Sequence, residues 1–316
     1  MSGTVEAALT LWGMAGAEHR LFAARENAVH QVRHAGATYA LRLHRAGYRS
    51  DDELISELEM MEAARQAGLH VPAPIPSASG DVVHVVDGVQ IDMLGWLSGA
   101  PLGKSDTPLD PTHTVALFNL IGRDMARLHA ALDDWTPPAH FTRCAWDHAG
   151  LVGDLPVWGR FWDNPTLDAE DRALFTRLRD VAGADLARRA PGLDYGLIHA
   201  DIVRENIMVD GDRIQLIDFD DAGFGFRLFD VATTLLKNMD APEYDALKTA
   251  LLDGYRALRP LDTDALDLFL VLRAATYVGW IATRLEEDGA TARNARFIAT
   301  TRRLAHEYLT RTGAAD

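Results

Sequence analysis

The chain has 316 residues, 48% of them hydrophobic and 24% charged, so it can bury the core of one large domain or of two ordinary lobes. Its 46 acidic and 31 basic side chains leave a net charge of −15, which argues against a generic nucleic-acid binder and against docking on an anionic membrane. The single cysteine, Cys144, excludes an internal disulfide and a cysteine-rich zinc site, and points to a reducing, cytoplasmic setting. The opening "MSGTVEAALTLWGM" lacks the basic segment of a signal peptide. The most apolar later stretch, "LFLVLRAATYVGWIA", is interrupted by Arg273 and falls short of a membrane span. No export, no membrane insertion and no nucleic-acid partner are therefore expected, and the oligomeric state is not legible.

In chain order, "RLFAA", "AVHQVR" and "TYALRLH" alternate like strands and read as a three-strand meander with a "HAGA" turn. Leu41 and Leu43 then share one face and Arg42 takes the other. Ser50, with Glu53 three positions on, predicts a capped helix through "DDELISELEMMEAARQAG" that Gly68 closes. After the breaker "VPAPIP", the strands "VVHVV" and "VQIDML" flank an Asp87-Gly88 hairpin turn. Composition changes at the Gly-rich connector "GWLSGAPLG", which sets a strand-rich lobe over 1–95 against a mostly helical lobe over 96–316. Helical periodicity covers 117–132, 168–189, 227–238, 241–258, 262–287 and 290–312. The only strong strands of this second part are "NIMV" and "RIQLI", joined by Asp210-Gly211. The expected class is α+β.

That hairpin lies inside "LIHADIVRENIMVDGDRIQLIDFDD", residues 197–221. Folding it brings the loop before its first strand to the same end as the residues after its second. Asp201, Asn206, Asp218 and Asp220 then converge, while Asp210 and Asp212 belong to the far turn. Oxygen donors so crowded suit a hard cation such as Mg²⁺, because neighbouring carboxylates repel unless an ion holds them charged. For any one of them alone, a solvated polar turn is the alternative.

The spacing His199-x-Asp201-x₄-Asn206, then a hairpin, then Asp218-Phe219-Asp220, resembles the catalytic and metal-binding segments of the protein-kinase-like fold. The letters "IDFDDAGFGFRLFDVA" look most like the aminoglycoside phosphotransferase and choline kinase superfamily, and within it the type II homoserine kinase and stress-response kinase branch. The resemblance implies a two-lobed α+β fold, ATP as co-substrate and Mg²⁺ as cofactor. It makes Asp201 the catalytic base, Asn206 and Asp218 metal ligands, and Asp220 a further metal or acceptor-side contact. His199 would support the loop from beneath, and Asp230 would hold the loop backbone from the following helix. Arg42 stands where the family has Lys or Arg to grip the phosphates, and Glu57 stands where the family has the helix acid that holds that cation. Arg25-Glu26-Asn27 fits the family's nucleotide-covering loop in part, and the backbone of Met93, Leu94 and Trp96 is expected at the adenine edge.

Only about nine residues separate Asp218 from the helix near Arg227, fewer than a peptide-docking segment needs, and this favours a small acceptor. Stress-response kinases of the same branch have a similarly short segment, so a protein Ser/Thr kinase stays as an alternative, as does a non-catalytic nucleotide-binding module. Segment 141–166 supplies Trp146, Asp147, His148, Trp158, Arg160 and Trp162, groups suited to an amino acid or amino alcohol, with Asp221 and Tyr277 expected beside them. A private core of that segment is the alternative. The expected reaction is transfer of the ATP γ-phosphoryl group to a hydroxyl of a small amino-acid or amino-alcohol substrate, homoserine among the candidates.

Overall fold

The computed structural model describes residues 2–24, 27–104, 107, 109 and 111–314. In chain order the elements are α1 (Ser2–Leu11), β1 (Glu18–Ala24), β2 (Ala28–His34), β3 (Ala37–Leu43), α2 (Asp51–Gln66), β4 (Val83–Val86), β5 (Val89–Gly95), β6 (Ala100–Pro101) and α3 (Pro111–Asp134). There follow β7 (Ala145–Trp146), α4 (His148–Val152), α5 (Ala169–Arg189), β8 (Tyr195–Ile198), β9 (Ile207–Asp210), β10 (Arg213–Leu216) and β11 (Gly223–Phe226). The chain ends in α6 (Arg227–Leu236), α7 (Tyr244–Arg256), α8 (Leu266–Ala282) and α9 (Ala290–Arg311). Contacts divide it into two compact units. The first joins Met1–Leu102 with Ala130–Arg143 and Asn206–Asp220; the second joins Gly103–His129, Cys144–Glu205 and Asp221–Asp316. The composition break near residue 96 therefore lies close to one border, and the other borders have no compositional mark because the chain crosses between units several times.

The first unit is built on a five-stranded antiparallel sheet in the order β1-β2-β3-β5-β4. Asp87 and Gly88 both take positive φ, 52° and 78°, the pairing a tight β4–β5 hairpin requires. Leu41, Leu43, Ile91 and Met93 point to one face and join Val5, Ala8, Leu9 and Trp12 in a core. Those last four belong to an amino-terminal segment for which the strand reading above assigned no element. Their i, i+3, i+4, i+7 spacing is the signal of α1 and its following turn. Arg42 and Asp92, one position along each strand, take the opposite face and stand directly across from each other in the β3–β5 register. The helix after Ser50 is α2, and its capping box is complete: Ser50 Oγ accepts from the Glu53 N–H at 3.2 Å and Glu53 Oε2 accepts from the Ser50 N–H at 2.9 Å.

The β9–β10 hairpin also belongs to this unit, with β6 as its third strand. Gly99 allows the close approach, since a Cβ there would lie 2.3 Å from the Val209 carbonyl oxygen. The Ile217 N–H donates to the Asn206 carbonyl at 3.0 Å, so the residues before and after the hairpin meet at one end.

The second unit is mostly helical and carries a small sheet ordered β7-β11-β8, with β11 parallel to β7 and antiparallel to β8. The sequence hides these strands because two β11 positions are glycine. A Cβ on Gly225 would sit 2.4 Å from Ile198 Cδ1, and one on Gly223 would sit 2.3 Å from the Cys144 carbonyl oxygen. No helix among the described residues is long and apolar enough to cross a membrane. The fold is α+β and protein-kinase-like, with a small sheet-rich unit and a larger helical one.

Candidate active site

In the first unit the central feature is a buried arginine fork. Arg42 donates from Nε and Nη2 to both oxygens of Asp92, at 2.8 and 2.7 Å, and from Nη1 to Glu57 Oε1 at 2.8 Å. His44 Nε2 lies 2.8 Å from Asp92 Oδ2. Glu57 and Asp92 are fully buried, and burial alone would favour their protonated forms. The charges of Arg42 and Arg143 overrule it at Glu57, and Arg42 with His44 overrules it at Asp92, so both carboxyls lie below their ordinary values. Burial opposes the charge of Arg42 as well, and the two carboxylates outweigh it, raising Arg42 well above its usual range. The sequence names the Arg42–Glu57 pair but not Asp92 or His44, which read as alternate letters of ordinary strands.

Arg143 links this fork to the segment after the hairpin. Its Nη1 donates to the Glu53 carbonyl at 3.0 Å and lies 3.8 Å from Glu57 Oε2, while Nη2 donates to the carbonyls of Phe219 and Asp220. Asp218 has φ +67°, a left-handed conformation unusual outside glycine. Asn206 is buried immediately before β9, and its carbonyl accepts from the Ile217 N–H, next to Asp218 in the chain. Among the described residues no group of three or more His, Cys, Asp or Glu side chains forms a metal cage. Asp220 Oδ1 lies 3.4 Å from Arg49 Nε, and the Asp220 carbonyl accepts from Arg49 Nη2 at 2.8 Å. Asn206 and Asp218 offer one carboxamide and one carboxylate, a hard oxygen pair. That pair fits Mg²⁺, which takes few protein ligands and fills its octahedron with water and phosphate oxygens.

At the expected adenine edge the Met93 and Leu94 side chains are buried and Trp96 is half-buried. The Met93 carbonyl accepts from Ile75 N–H at 2.8 Å, the Gly95 N–H donates to Ala73 at 2.8 Å, and the Trp96 N–H donates to Thr38 at 3.2 Å. Three of the backbone groups in that stretch are thus bonded inside the unit. The Trp96 ring meets Phe22 edge-on, with centroids 4.8 Å apart. Arg25 and Glu26, of the expected nucleotide-covering loop, lie outside the described residues.

In the second unit, Asp201 follows β8 through a bent loop in which Ala200 has φ +66°. Asp230, near the start of α6, holds that loop: its carboxylate accepts from the N–H groups of His199 at 2.9 Å and Ala200 at 2.6 Å, and lies 3.0 Å from His129 Nε2. Burial would raise Asp230, but the hydrogen bond and charge of His129 bring it below its ordinary value. Thr234 Oγ1 donates to the Ile202 carbonyl at 2.8 Å. His199 Nδ1 lies 3.3 Å from the Asp201 backbone nitrogen. The loop's strained backbone is therefore fixed from the helix rather than by its own sequence.

Asp201 Oδ1 accepts from Arg273 Nη2 at 2.7 Å, and the same Nη2 reaches Tyr277 Oη at 2.9 Å. Arg273 is fully buried, whereas 22% of the Asp201 side chain is exposed. The guanidinium lies 4.4 Å from the ring centroids of Trp158 and of Tyr277. Trp158 Nε1 donates to Asp221 Oδ1 at 3.1 Å. Trp158 and Tyr277 thus flank the arginine that holds Asp201, and Asp221 is bonded to Trp158. Other residues of the 141–166 segment have supporting places. Trp146 is fully buried, stacks on Phe229 at 5.0 Å and donates to the Asp221 carbonyl, and Asp147 caps α4 by accepting from Gly150 N–H at 2.9 Å. Arg160 donates to the Asp154 carbonyl at 2.7 Å, and Trp162 lies 4.3 Å beneath Arg179.

Two cations of this cluster were not assigned to the site from sequence. Arg273 was visible only as the charge that breaks an apolar run, which is itself the signal: a cation in the middle of a buried helix needs a carboxylate. Lys237, at the carboxyl end of α6, lies 3.7 Å from the Tyr277 ring centroid. Burial lowers it to about 8, the charge of Asp201 acting in the opposite sense.

With this geometry in place, likeness to other proteins becomes informative. An uncharacterized protein of Deinococcus radiodurans is 32% identical over 79% of this chain and 72% of its own. Homoserine kinase of Methylobacillus glycogenes is 30% identical over 67% of this chain, which spans 62% of that relative's length. Among solved structures, the microcompartment-associated aminopropanol kinase superposes over 100% of this chain and 99% of its own, with a TM-score of 0.85 and 30% identity. Amicoumacin kinase, at 20% identity and a TM-score of 0.78, shares the fold. The sequence pattern of the phosphotransferase enzyme family matches residues 18–261, which takes in the arginine fork, the Asp201 loop and the hairpin turn, and the chain belongs to that family.

Proposed function

We propose that the protein is an ATP- and Mg²⁺-dependent kinase that phosphorylates a hydroxyl of a small amino acid or amino alcohol, in the manner of a homoserine kinase. The observation that carries the proposal is the Asp201–Arg273 pair: a partly exposed carboxylate held on one oxygen by a fully buried guanidinium. Such a carboxylate is held in one orientation and stays partly open to solvent, as a group that accepts a hydroxyl proton must be. Asp201 takes that proton as the acceptor oxygen bonds to the γ-phosphorus, the bond from phosphorus to the β,γ-bridging oxygen breaks and ADP leaves. Arg42, fixed between Glu57 and Asp92, is the cation assigned to the ATP phosphates. Asn206 and Asp218 would hold Mg²⁺, whose chemistry there is to neutralise charge on the phosphate oxygens.

A small acceptor is supported by chain length: four residues, 219–222, separate Asp218 from β11, leaving no stretch to dock an extended peptide. The relatives named for homoserine and the structure named for aminopropanol support the same class. ADP release, measured with Mg-ATP over hydroxyl-bearing amino acids, amino alcohols and aminoglycosides, tests it. Acceptor-dependent release with at least one small molecule is the expected result; labelling of polypeptides in a lysate with no small acceptor active would replace the reading by a protein kinase.

A further inference from the structure

Several cations of the helical unit are matched to carboxylates, Arg273 to Asp201, Arg259 to Asp194, Arg302 to Asp171 and Arg189 to Asp185, while buried Arg204 donates to the Asn238 side-chain oxygen and to the carbonyls of Lys104 and Thr107. Lys237 is different. It is half-buried, and its Nζ lies 3.7 Å from the Tyr277 ring centroid and 5.4 Å from that of Phe297, with no hydrogen bond or ion pair to it among the described residues. Withdrawing an ammonium from water without a counter-ion is costly, and aromatic faces return part of that cost only. The lowering to about 8 registers the same imbalance. Burial outweighs the charges of Asp201 and Glu205, which favour the ammonium without forming an ion pair with it.

Arg273 supplies an independent observation. Although fully buried, it leaves Nε and Nη1 without hydrogen-bond partners and engages only Nη2. Its guanidinium and the Lys237 ammonium lie against the same Tyr277 ring, at 4.4 and 3.7 Å from its centroid. A lysine with no ion pair among the described residues, beside an arginine whose charge is matched by Asp201 but which keeps two nitrogens without hydrogen-bond partners, makes this ring edge suited to an anion.

We infer that the phosphoryl acceptor carries a carboxylate, and that Lys237, backed by Arg273, is the residue that recognises it. The inference rests on the kinase reading above and narrows it to hydroxy amino acids over amino alcohols. An amino alcohol presents only an ammonium to these cations, so like charges meet and the wrong substrate is disfavoured as the right one is favoured.

Two substrate pairs isolate the carboxylate: L-homoserine against 3-aminopropan-1-ol, and L-threonine against 1-aminopropan-2-ol. Each pair shares one skeleton and differs by the carboxylate. Using the full chain with Mg-ATP, kcat/KM from ADP release should favour a carboxylated member by about tenfold or more. Lys237→Met, which keeps the length and the contact with both rings, should bring the preference to near unity mainly through KM, and Lys237→Arg should keep most of it. A preference for the amino alcohols, or one that survives Lys237→Met, overturns the inference. Turnover confined to cationic acceptors such as choline or an aminoglycoside overturns it too, while leaving the kinase reading in place. Absence of acceptor-dependent ADP release with any compound overturns both.

Discussion

Asp92 shows how much of a site can depend on register. Its carboxylate takes two of the three hydrogen bonds made by Arg42 and one from His44, all within a fully buried group. Removing it leaves a buried guanidinium with two of its three acceptor oxygens gone, so Asp92→Ala should cost about 3–5 kcal/mol of stability, read from denaturant unfolding. An effect within a few tenths of a kcal/mol would mean that the fork is not formed. In the sequence, Arg42 and Glu57 stand out because the family resemblance assigns them a role, whereas Asp92 looks like the polar letter of "VQIDML". Only the pairing of β3 with β5 puts it opposite Arg42. Asp220, two residues beyond Asp218, has a carboxylate oxygen 3.4 Å from Arg49 Nε, a neighbour that its place in the sequence does not announce.

Secondary-structure elements carry the site into place, and the least legible of them do so through glycine. Gly279 of α8 lies where the 158–159 segment crosses; a Cβ there would meet the Gly159 carbonyl oxygen at 2.4 Å and that of Trp158 at 2.7 Å. Both neighbours are backbone and cannot rotate away. Gly279→Ala should therefore push the segment off the helix at a cost of about 1–3 kcal/mol. It should also shift Trp158 from Asp221 and Arg273, raising KM for the acceptor more than KM for ATP in steady-state kinetics. Equal KM values in variant and wild type would show that the crossing does not set the acceptor side. The longer helices were readable from their period or caps and the β9–β10 hairpin from its turn, whereas α1 and the short α4 were assigned no element. β8 and β11 were not, since a glycine that admits a neighbouring backbone looks in sequence like a glycine that breaks a strand.

At the scale of the whole molecule, pH acts through buried pairs more than through the net charge of −15. Glu57, Asp92 and Asp230 lie below their ordinary values of 4.5, 3.8 and 3.8. The folded state therefore binds fewer protons than the unfolded state in the acid range, and the stabilisation, fully present above those values, is lost as pH falls through the folded ones. Denaturant midpoints should drop steadily below pH 4.5, and a flat profile to pH 3 would contradict the pairing. Lys237 acts at the alkaline end with the opposite charge and the same sense. Lowered from 10.5 to about 8, it adds stability as pH rises between those values, while a carboxylate held by its ammonium would be released. The division into a sheet-rich and a helical part was legible from composition. The repeated crossing of the chain between them was not, because it follows from which strands pair.

In the proposed transfer from ATP, Asp201, held by Arg273, takes the acceptor proton, and Asp201→Asn tests that step most directly. The variant keeps the shape and loses the base. In the coupled ADP-release assay with Mg-ATP and the best acceptor, kcat should fall by about 10²–10⁴-fold in protein still folded at the assay temperature, while the unfolding midpoint drops because buried Arg273 loses its counter-charge. Turnover equal to that of the wild type would contradict the account.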